Sequence, residues 1–340
     1  MDEPIVVGID IGTTKICTLV ARLEGDSDMR ILGVGIEPAL GIKKGNVVDM
    51  EAARQSISRS IEKAQRSSSL EIESALVSLA GSHVSAMNSR GVVGINGGVV
   101  KEEDVDRALE AAMAVAMPHN REIIHVIQRG FTIDGQDGIQ SPVNFSGYRL
   151  EVEAHIITAA AATVDNLRQC VESNKVEVLQ FVLNPLASGE VVLSKSEREM
   201  GVCVCDIGGG TSDLAIYING DVWHTNVLPV GGNHITHDIS VGLRVNTDLA
   251  EQVKLKYGHA VKADVGEDEF FTLKSFGDES PQQTSRRELA FIIEARVEEI
   301  FDLLHQEIRR SGYDNLLPAG MVLTGGTSQL PGIKKIAADV

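Results

Sequence analysis

The chain has 340 residues, which at about 100–200 residues per domain predicts two or three compact units rather than one small module. Hydrophobic residues make up 43% and charged residues 23%, a composition that excludes global disorder. The 31 Lys and Arg face 48 Asp and Glu, and the resulting net charge of −17 argues against a nucleic-acid partner.

Cysteine usage and hydropathy indicate a reduced, non-spanning protein. Cys17, Cys170, Cys203 and Cys205 are too few and too scattered for a disulfide framework, and Cys203 and Cys205 lack the two-residue spacer of a redox or zinc pair. We therefore predict buried thiols. No uncharged apolar stretch reaches the ~18 residues of a membrane span, and the N-terminus lacks the basic residues of a signal peptide, so a cytoplasmic protein is expected.

The first part of the chain predicts a strand, a tight turn, two more strands and a helix. Apolar runs predict strands at 5–10, 16–23, 31–36 and 75–80. Asp49 is the expected N-cap of a helix, since Ala53, Ile57, Ile61 and Ala64 follow at helical spacing.

Residues 81–157 have the pattern of an insertion. Several short strands are expected there, with a loop at 135–147 and a helix that opens at 100–105 with acids in its first turn. This α+β pattern predicts a small, semi-independent module.

The opening pattern then recurs. Strand 202–206 ends in Asp206 and is followed by a Gly/Thr turn and another strand, as strand 5–10 ends in Asp10. Two related halves are implied, joined by a helix at 184–193. Further helices are expected after Gly231, at 247–256, at 287–310 and at 330–340, with an acidic loop at 263–285 and a strand and Gly-Gly-Thr turn at 321–327.

Two Gly/Thr turns that face each other predict a clamp for a polyphosphate, because glycine lets the backbone N–H groups approach the ligand closely. Asp10 and Asp206 are the candidate Mg²⁺ residues, acting through water, and Lys15 supplies a neutralising cation. The P-loop and the strand-linked G-x-G-x-x-G motif are both missing. His234 and His237 lack a third ligand and are interpreted as capping or surface residues.

These motifs, in this order, resemble the five-motif signature of the actin, heat-shock-70 and sugar-kinase ATPase superfamily. More specific segments resemble the FtsA family of bacterial cell-division proteins: 41–49, 77–81, 100–105, 201–213 and 322–327. The resemblance implies an α/β, actin-like ATPase fold: two related α/β domains, a nucleotide cleft between them, and an inserted small α+β subdomain. The implied subdomains are 1A at 1–80 and 158–200, 1C at 81–157, 2A at 201–234 and 317–340, and 2B at 235–316.

The resemblance also implies the function. The family binds ATP with Mg²⁺, polymerises on the inner face of the cytoplasmic membrane at the division site, binds the C-terminal peptide of FtsZ, and recruits later division proteins through 1C. Its membrane-targeting C-terminal helix is expected to lie outside these 340 residues. A type IV pilus assembly ATPase and a sugar kinase of the same superfamily remain alternatives.

Site residues follow from the matching motifs. The resemblance implies nucleotide contacts by Gly12, Thr13, Thr14, Lys15, Gly208, Gly209, Gly210, Thr211, Gly232, Asn233, Glu251, Lys254, Gly325, Gly326 and Thr327. Asn184 and Glu190 flank the connecting helix and are the candidate catalytic residues. Asn184 stands where the superfamily places a Gln or Glu that positions the attacking water, which predicts slow hydrolysis.

A partner surface is expected on the long helix. Arg286, Arg287, Arg309 and Arg310 are candidates for binding acids of the FtsZ peptide. The alternative is that these arginines pair with glutamates of their own helix.

Overall fold

A computed structural model describes residues 4–25, 28–114, 118–277 and 280–340. The elements of its first domain are β1 (Ile5–Ile11), β2 (Lys15–Glu24), β3 (Asp28–Pro38), β4 (Ile42–Lys43), β5 (Asn46–Val47), α1 (Met50–Ser68) and β6 (Ser74–Leu79), then, after an insertion, α3 (Ala161–Glu172), β11 (Glu177–Leu183), α4 (Asn184–Val192) and α5 (Lys195–Met200). Five of these strands form a sheet with the order β11-β6-β1-β2-β3, and α1 and α3 cover one face of that sheet.

The inserted domain comprises β7 (Val84–Gly94), α2 (Glu102–Met113), β8 (Arg121–Ile133), β9 (Gln136–Ile139) and β10 (Arg149–Ala160). Its strands form a four-stranded antiparallel sheet, in the order β7-β10-β8-β9, which packs on α2.

The second domain comprises β12 (Val202–Ile207), β13 (Ser212–Ile218), β14 (Asp221–Leu228), α6 (Gly232–Gly242), α7 (Thr247–Tyr257), β15 (Phe270–Leu273), β16 (Gln282–Ser285), α8 (Arg286–Ser311), β17 (Met321–Thr324) and α9 (Ile333–Asp339). It repeats the pattern of the first domain around the sheet β14-β13-β12-β17.

The two domains share one plan. In each, an antiparallel hairpin, β1–β2 or β12–β13, carries the Gly/Thr turn, and the first strand of that hairpin has a parallel neighbour on its other side, β6 or β17. The repeat of related halves is therefore confirmed. The helix after Asp49 is also confirmed, since the Asp49 carboxylate caps it by accepting from the N–H groups of Glu51 and Ala52 at 3.1 Å.

Several local expectations were wrong. The strands of the insertion are long, with 11, 13 and 12 residues in β7, β8 and β10. The elements β14 and α5 were not predicted, and the expected acidic loop contains the β15–β16 hairpin, although residues 278–279 within it lie outside the described chain.

The insertion has a buried cluster of its own, formed by α2 and its sheet, and it also contacts both halves of the molecule. One end of β7 and of β10 runs into the first domain, where Val84, Ile157 and Ala159 belong to the same buried cluster as β1 and α1. Its other contact is with the second domain, where the buried His155 ring bonds Thr225 Oγ1 of β14 at 2.9 Å. The insertion thus packs on both halves.

The predicted buried thiols are confirmed for three cysteines: Cys170, Cys203 and Cys205 are free and buried, whereas Cys17 is partly exposed. Among the described helices, none combines the length and apolar character required to cross a bilayer.

Candidate functional site

The first turn closes the β1–β2 hairpin. The Gly12 N–H donates to the Lys15 carbonyl at 3.1 Å, which leaves Thr13 and Thr14 at the tip. Asp10 is the last residue but one of β1, beside this turn.

The second turn is built in the same way between β12 and β13. Here the Gly208 N–H donates to the Thr211 carbonyl at 2.9 Å, and Asp206 is again the last residue but one of its strand. The two turns are therefore closed by the same backbone hydrogen bond.

The two turns meet. A Cβ atom at Gly209 would lie 2.1 Å from Thr14 Oγ1, and one at Gly210 would lie 2.7 Å from Thr13 Oγ1. Both distances are far below van der Waals contact, so a side chain at either glycine would force the facing threonine side chain to move. The structure therefore brings together the residues that the sequence assigned to a phosphate clamp.

The start of α6 and the last turn join the same cluster. The N–H groups of Gly232 and Asn233 donate to the carbonyls of Gly208 and Gly209 at 3.0 and 2.8 Å, and Thr327 Oγ1 donates to the Gly208 carbonyl at 2.9 Å. Two separate glycine-containing segments of the second domain thus converge on the 208–211 turn.

Gly325 borders the acid of the second turn. Its φ of 86° lies in the left-handed region, and a Cβ there would sit 2.4 Å from Asp206 Oδ1. Gly326 follows it directly and has open space around its Cβ position.

Glu251 and Lys254 reach this cluster from α7. Lys254 Nζ pairs with Glu251 Oε2 at 2.7 Å and donates to the Gly232 carbonyl at 3.1 Å and to Thr236 Oγ1 at 2.8 Å. These two side chains therefore sit beside the glycine that opens α6.

The acids of the two turns act on each other electrostatically. Desolvation raises the pKa of Asp206, and the negative charge of Asp10 raises it further. Desolvation also raises the pKa of Asp10, although its side chain is open to solvent at the cleft, while the Ser78 hydroxyl and the Lys15 ammonium oppose that rise.

A third acid was missed as a site residue. Asp213 lies opposite Asp206 in the β12–β13 ladder and is buried, with Oδ1 lacking a hydrogen-bond partner in the described structure. Burial raises its pKa well above the ordinary value, and the charges of Asp206 and Asp10 add to that effect. Its position in the quoted motif was the only sequence signal that pointed to it.

This acid group fits a divalent cation. Carboxylate oxygens are the ligands that Mg²⁺ prefers, and a cation would offset both the desolvation of these acids and the negative charge of Asp10 that raises the pKa values of Asp206 and Asp213. Among the described residues, no three acid, His or Cys side chains converge closely enough to enclose an ion. A bound Mg²⁺ would therefore keep most of its water, as Mg²⁺ commonly does.

The two candidate catalytic residues lie apart. Asn184 begins α4, and its Oδ1 is buried without a hydrogen-bond partner among the described residues. Glu190 does not face the turns: its exposed carboxylate pairs with Arg198 Nη1 at 2.7 Å. The side chain of α4 that reaches a turn acid is Ser188, two residues earlier, which donates to Asp206.

The four candidate partner arginines do not form one patch. Arg286 and Arg287 begin α8 and Arg309 and Arg310 end it, and a helix of 26 residues is about 39 Å long. Arg286 and Arg287 pair with Glu269 and Glu267 of the preceding segment, and Arg310 pairs with Glu307. The expected alternative, pairing with glutamates of the same helix, is therefore correct for Arg310 and wrong for Arg286 and Arg287. Arg309 has no ion pair in the described structure.

His234 is a capping residue, as the sequence predicted. Its Nδ1 accepts from the Gly231 N–H at 3.2 Å at the start of α6.

Two related α/β domains with facing Gly/Thr turns and an inserted α+β unit define an actin-like fold. Solved structures share it: a PilM–PilN type IV pilus biogenesis complex matches with a TM-score of 0.69 at 15% identity over 98% of this chain and 85% of that one. MreB5 of Spiroplasma citri, solved bound to ADP, matches with a TM-score of 0.55 at 16% identity over 100% and 90%.

Sequence comparison gives the family. The family model for cell division protein FtsA matches residues 203–340, and the model for the SHS2 domain inserted in FtsA matches residues 81–158. Cell division protein FtsA of Pseudomonas aeruginosa is 42% identical over 335 residues, covering 98% of this chain and 80% of that protein. The chain belongs to the FtsA family of cell division proteins.

Proposed function

We propose that this cell-division protein binds ATP with Mg²⁺ in the cleft between its two domains. The observation that carries the proposal is the meeting of the two Gly/Thr turns, where Gly209 has no room for a Cβ beside Thr14. Backbone N–H groups of Gly-rich turns hold phosphate oxygens, and the acids beside both turns fit the metal that accompanies a nucleotide.

Each segment has a role in this proposal. Residues 12–15 and 208–211 hold the phosphates, with Lys15 as the neutralising cation, and Asp10 and Asp206 hold Mg²⁺ through water. Gly232 and Asn233 close on the phosphates and ribose, while Glu251, Lys254 and residues 325–327 border the adenosine. In this proposal Asp10 and residues 12–15 belong to subdomain 1A and the other segments to subdomains 2A and 2B, so the nucleotide lies between the two domains.

Hydrolysis is proposed to be slow. Asn184 Oδ1 is buried and unpaired in the described structure, so it is available to accept a hydrogen bond from a water near the phosphates. An amide orients a water but does not take its proton, whereas a carboxylate does both. Glu190 does not supply that carboxylate, because it pairs with Arg198.

Calorimetric titration of ATP into the chain, with Mg²⁺ and with EDTA, tests the nucleotide site. We expect one saturable site that is tighter with Mg²⁺, and phosphate release that added sugars do not accelerate. The absence of saturable binding up to millimolar ATP would contradict the proposal, and sugar-stimulated turnover would favour a sugar kinase instead.

We further propose that the protein polymerises at the inner face of the cytoplasmic membrane, links the FtsZ ring to it and recruits later division proteins through the insertion. Membership of the FtsA family supports this role over that of a pilus assembly ATPase. Sedimentation with and without ATP tests polymerisation: pelleting that requires ATP is expected, and identical pelleting without nucleotide would count against a nucleotide-dependent polymer.

The FtsZ peptide is proposed to bind on α8, at one end rather than along its length, since the arginine pairs are separated by the helix. Fluorescence anisotropy with a labelled FtsZ C-terminal peptide distinguishes the ends. Arg309→Glu with Arg310→Glu and, separately, Arg286→Glu with Arg287→Glu are compared with Arg59→Glu, an exposed arginine of α1. A roughly micromolar affinity that falls in one double variant and not in Arg59→Glu is expected. Equal affinity in all variants would remove α8 as the site.

A further inference from the structure

Two serine hydroxyls hold the two acids of the cleft. Ser78 of β6 donates to Asp10 Oδ1 at 2.8 Å, and its oxygen accepts the Ile11 N–H at 2.8 Å. Ser188 of α4 donates to Asp206 Oδ2 at 2.6 Å. Each acid therefore has one carboxylate oxygen bound to a hydroxyl from another element.

The second oxygen of each acid is left for the cleft. Within the described structure, no hydrogen-bond donor is assigned to Asp10 Oδ2 or to Asp206 Oδ1. A carboxylate bound at one oxygen loses most of its freedom to rotate, so the direction of the unbound oxygen is fixed before any ligand arrives. Partners of this kind around a metal ligand orient it and raise metal affinity.

The helix that carries Ser188 is held in place by packing on both domains. Leu186 of the same helix packs against the core of the first domain and against a buried cluster on the sheet of the second domain that includes Val202 and Tyr217. Gly189 faces the Tyr217 ring, where a Cβ would lie 2.4 Å from the hydroxyl, and Arg198 Nη2 bonds the Gly189 carbonyl at 3.0 Å. The helix that carries Ser188 is therefore fixed on both sides.

The two serines lie on different kinds of structural element relative to the acids that they bind. Ser78 lies on β6, the parallel neighbour of β1 in the same sheet as Asp10. Ser188 lies on α4, the helix that leads from the first domain to the second, whereas Asp206 belongs to the sheet of the second domain. The orientation of Asp206 thus depends on an element from outside its own sheet.

We propose that Ser78 and Ser188 are positioning residues that hold Asp10 and Asp206 for the divalent cation of a bound nucleotide. This inference rests on the proposed nucleotide and Mg²⁺ site and adds to it the groups that orient the metal-binding acids. Neither hydroxyl touches the nucleotide; each acts through its carboxylate.

The test compares nucleotide affinity with Mg²⁺ and with EDTA. Ser188→Ala and Ser78→Ala are expected to reduce the gain in ATP affinity given by Mg²⁺ by about 10- to 100-fold, and to leave affinity in EDTA within about twofold of wild type. Ser188→Thr and Ser78→Thr keep the hydroxyl and should restore the gain. Ser240→Ala, which removes a hydroxyl bonded to the Val245 carbonyl rather than to an acid, is the matched control and should behave as wild type.

The outcomes separate the two claims. An unchanged Mg²⁺ gain in both alanine variants overturns this inference alone, as does an equal loss of affinity with Mg²⁺ and with EDTA, which would indicate a purely structural role. A wild-type chain whose ATP affinity does not depend on Mg²⁺ overturns the proposed metal site and this inference with it.

Discussion

The two halves of the molecule touch at the facing Gly/Thr turns, which form the proposed nucleotide cleft, and where the inserted domain packs on β14. A buried acid at the first place and a buried histidine at the second differ in their hydrogen bonding. In the cleft, Asp213 is buried with one oxygen unpaired in the described structure. At the insertion, His155 is equally buried, yet Nδ1 bonds Asn88 Oδ1 at 2.7 Å and Nε2 bonds Thr225.

Aromatic packing also holds the contact between the insertion and β14. Trp223 of β14 stands edge to face with Tyr313 at 5.4 Å, and the Arg129 guanidinium lies 4.8 Å from the Trp223 ring centre. Arg129 leaves two nitrogens without hydrogen bonds but places its flat face on that ring. An unpaired buried polar group costs stability, so we infer that the free Asp213 oxygen belongs to the proposed ligand site, whereas the hydrogen bonds of His155 and the stacking of Arg129 serve permanent packing.

The largest expected effect comes from filling the cleft. Gly209→Val places a side chain where Thr14 Oγ1 already lies, so we expect ATP affinity to fall by at least about 100-fold, or about 2.7 kcal/mol. Far-UV circular dichroism should change little. Gly130→Val is the control, because nothing lies within 4 Å of its Cβ position in β8. Wild-type affinity in the Gly209 variant, measured by calorimetry, would place the ligand elsewhere.

The insertion contact should respond to acid. Burial, with the charges of His224 and Arg129, lowers the pKa of His155 from 6.5 to about 3. Between these pH values His155 binds a proton in the unfolded chain but stays neutral in the folded chain. The contribution of His155 to the free energy of unfolding is therefore complete above pH 6.5 and is lost as the pH falls from 6.5 toward 3. At pH 5 the loss from this group is about 2 kcal/mol.

Urea unfolding at pH 7 and pH 5 measures that loss. The fall in the free energy of unfolding between these pH values should be about 2 kcal/mol smaller in His155→Gln than in wild type. His119→Gln, at an exposed histidine, should keep the wild-type difference. If His155→Gln keeps it as well, the ring is not the neutral, bonded group described above.

The smallest expected effect tests whether the insertion contact and the proposed nucleotide site are independent. Thr225→Val removes the bond to His155 Nε2 and should cost about 1 kcal/mol of unfolding free energy at pH 7. ATP affinity should stay within about twofold, because the packing contact and the ligand site are distinct. Thr272→Val, on the exposed side of β15, serves as the control. A loss of ATP affinity comparable to that of Gly209→Val would show that the two regions are one unit.

Local signals made the main elements predictable from sequence. The Gly/Thr turns and the Asp49 cap have short-range causes, and the recurrence of a strand-terminal acid at Asp10 and Asp206 is enough to indicate related halves. The heptad-like stripe of α8 gave its bounds to within one residue at each end. Candidate site residues distant in sequence were grouped by resemblance to a family, and the structure brings most of them together.

Features that depend on contacts between residues distant in sequence could not be predicted. β14 lacks a clean alternation of polar and apolar residues because its polar side chains have distant partners: Thr225 bonds His155 of the insertion, and His224 bonds Glu307 of α8 at 3.0 Å. The hydroxyls of Ser78 and Ser188 reach acids 68 and 18 residues away, which no periodicity indicates. The charges that neutralise Arg286 and Arg287 likewise come from a segment 17 and 20 residues distant.

Hydrogen–deuterium exchange with and without saturating ATP and Mg²⁺ tests the central claim most directly, because it reports both sides of the cleft in one measurement. We predict slower exchange at 10–15, at 208–213 and at 231–233 together, with little change in the β7–β10 pairing of the insertion. Protection confined to one domain, or no protection at a saturating ATP concentration, would contradict a nucleotide held jointly by the two turns.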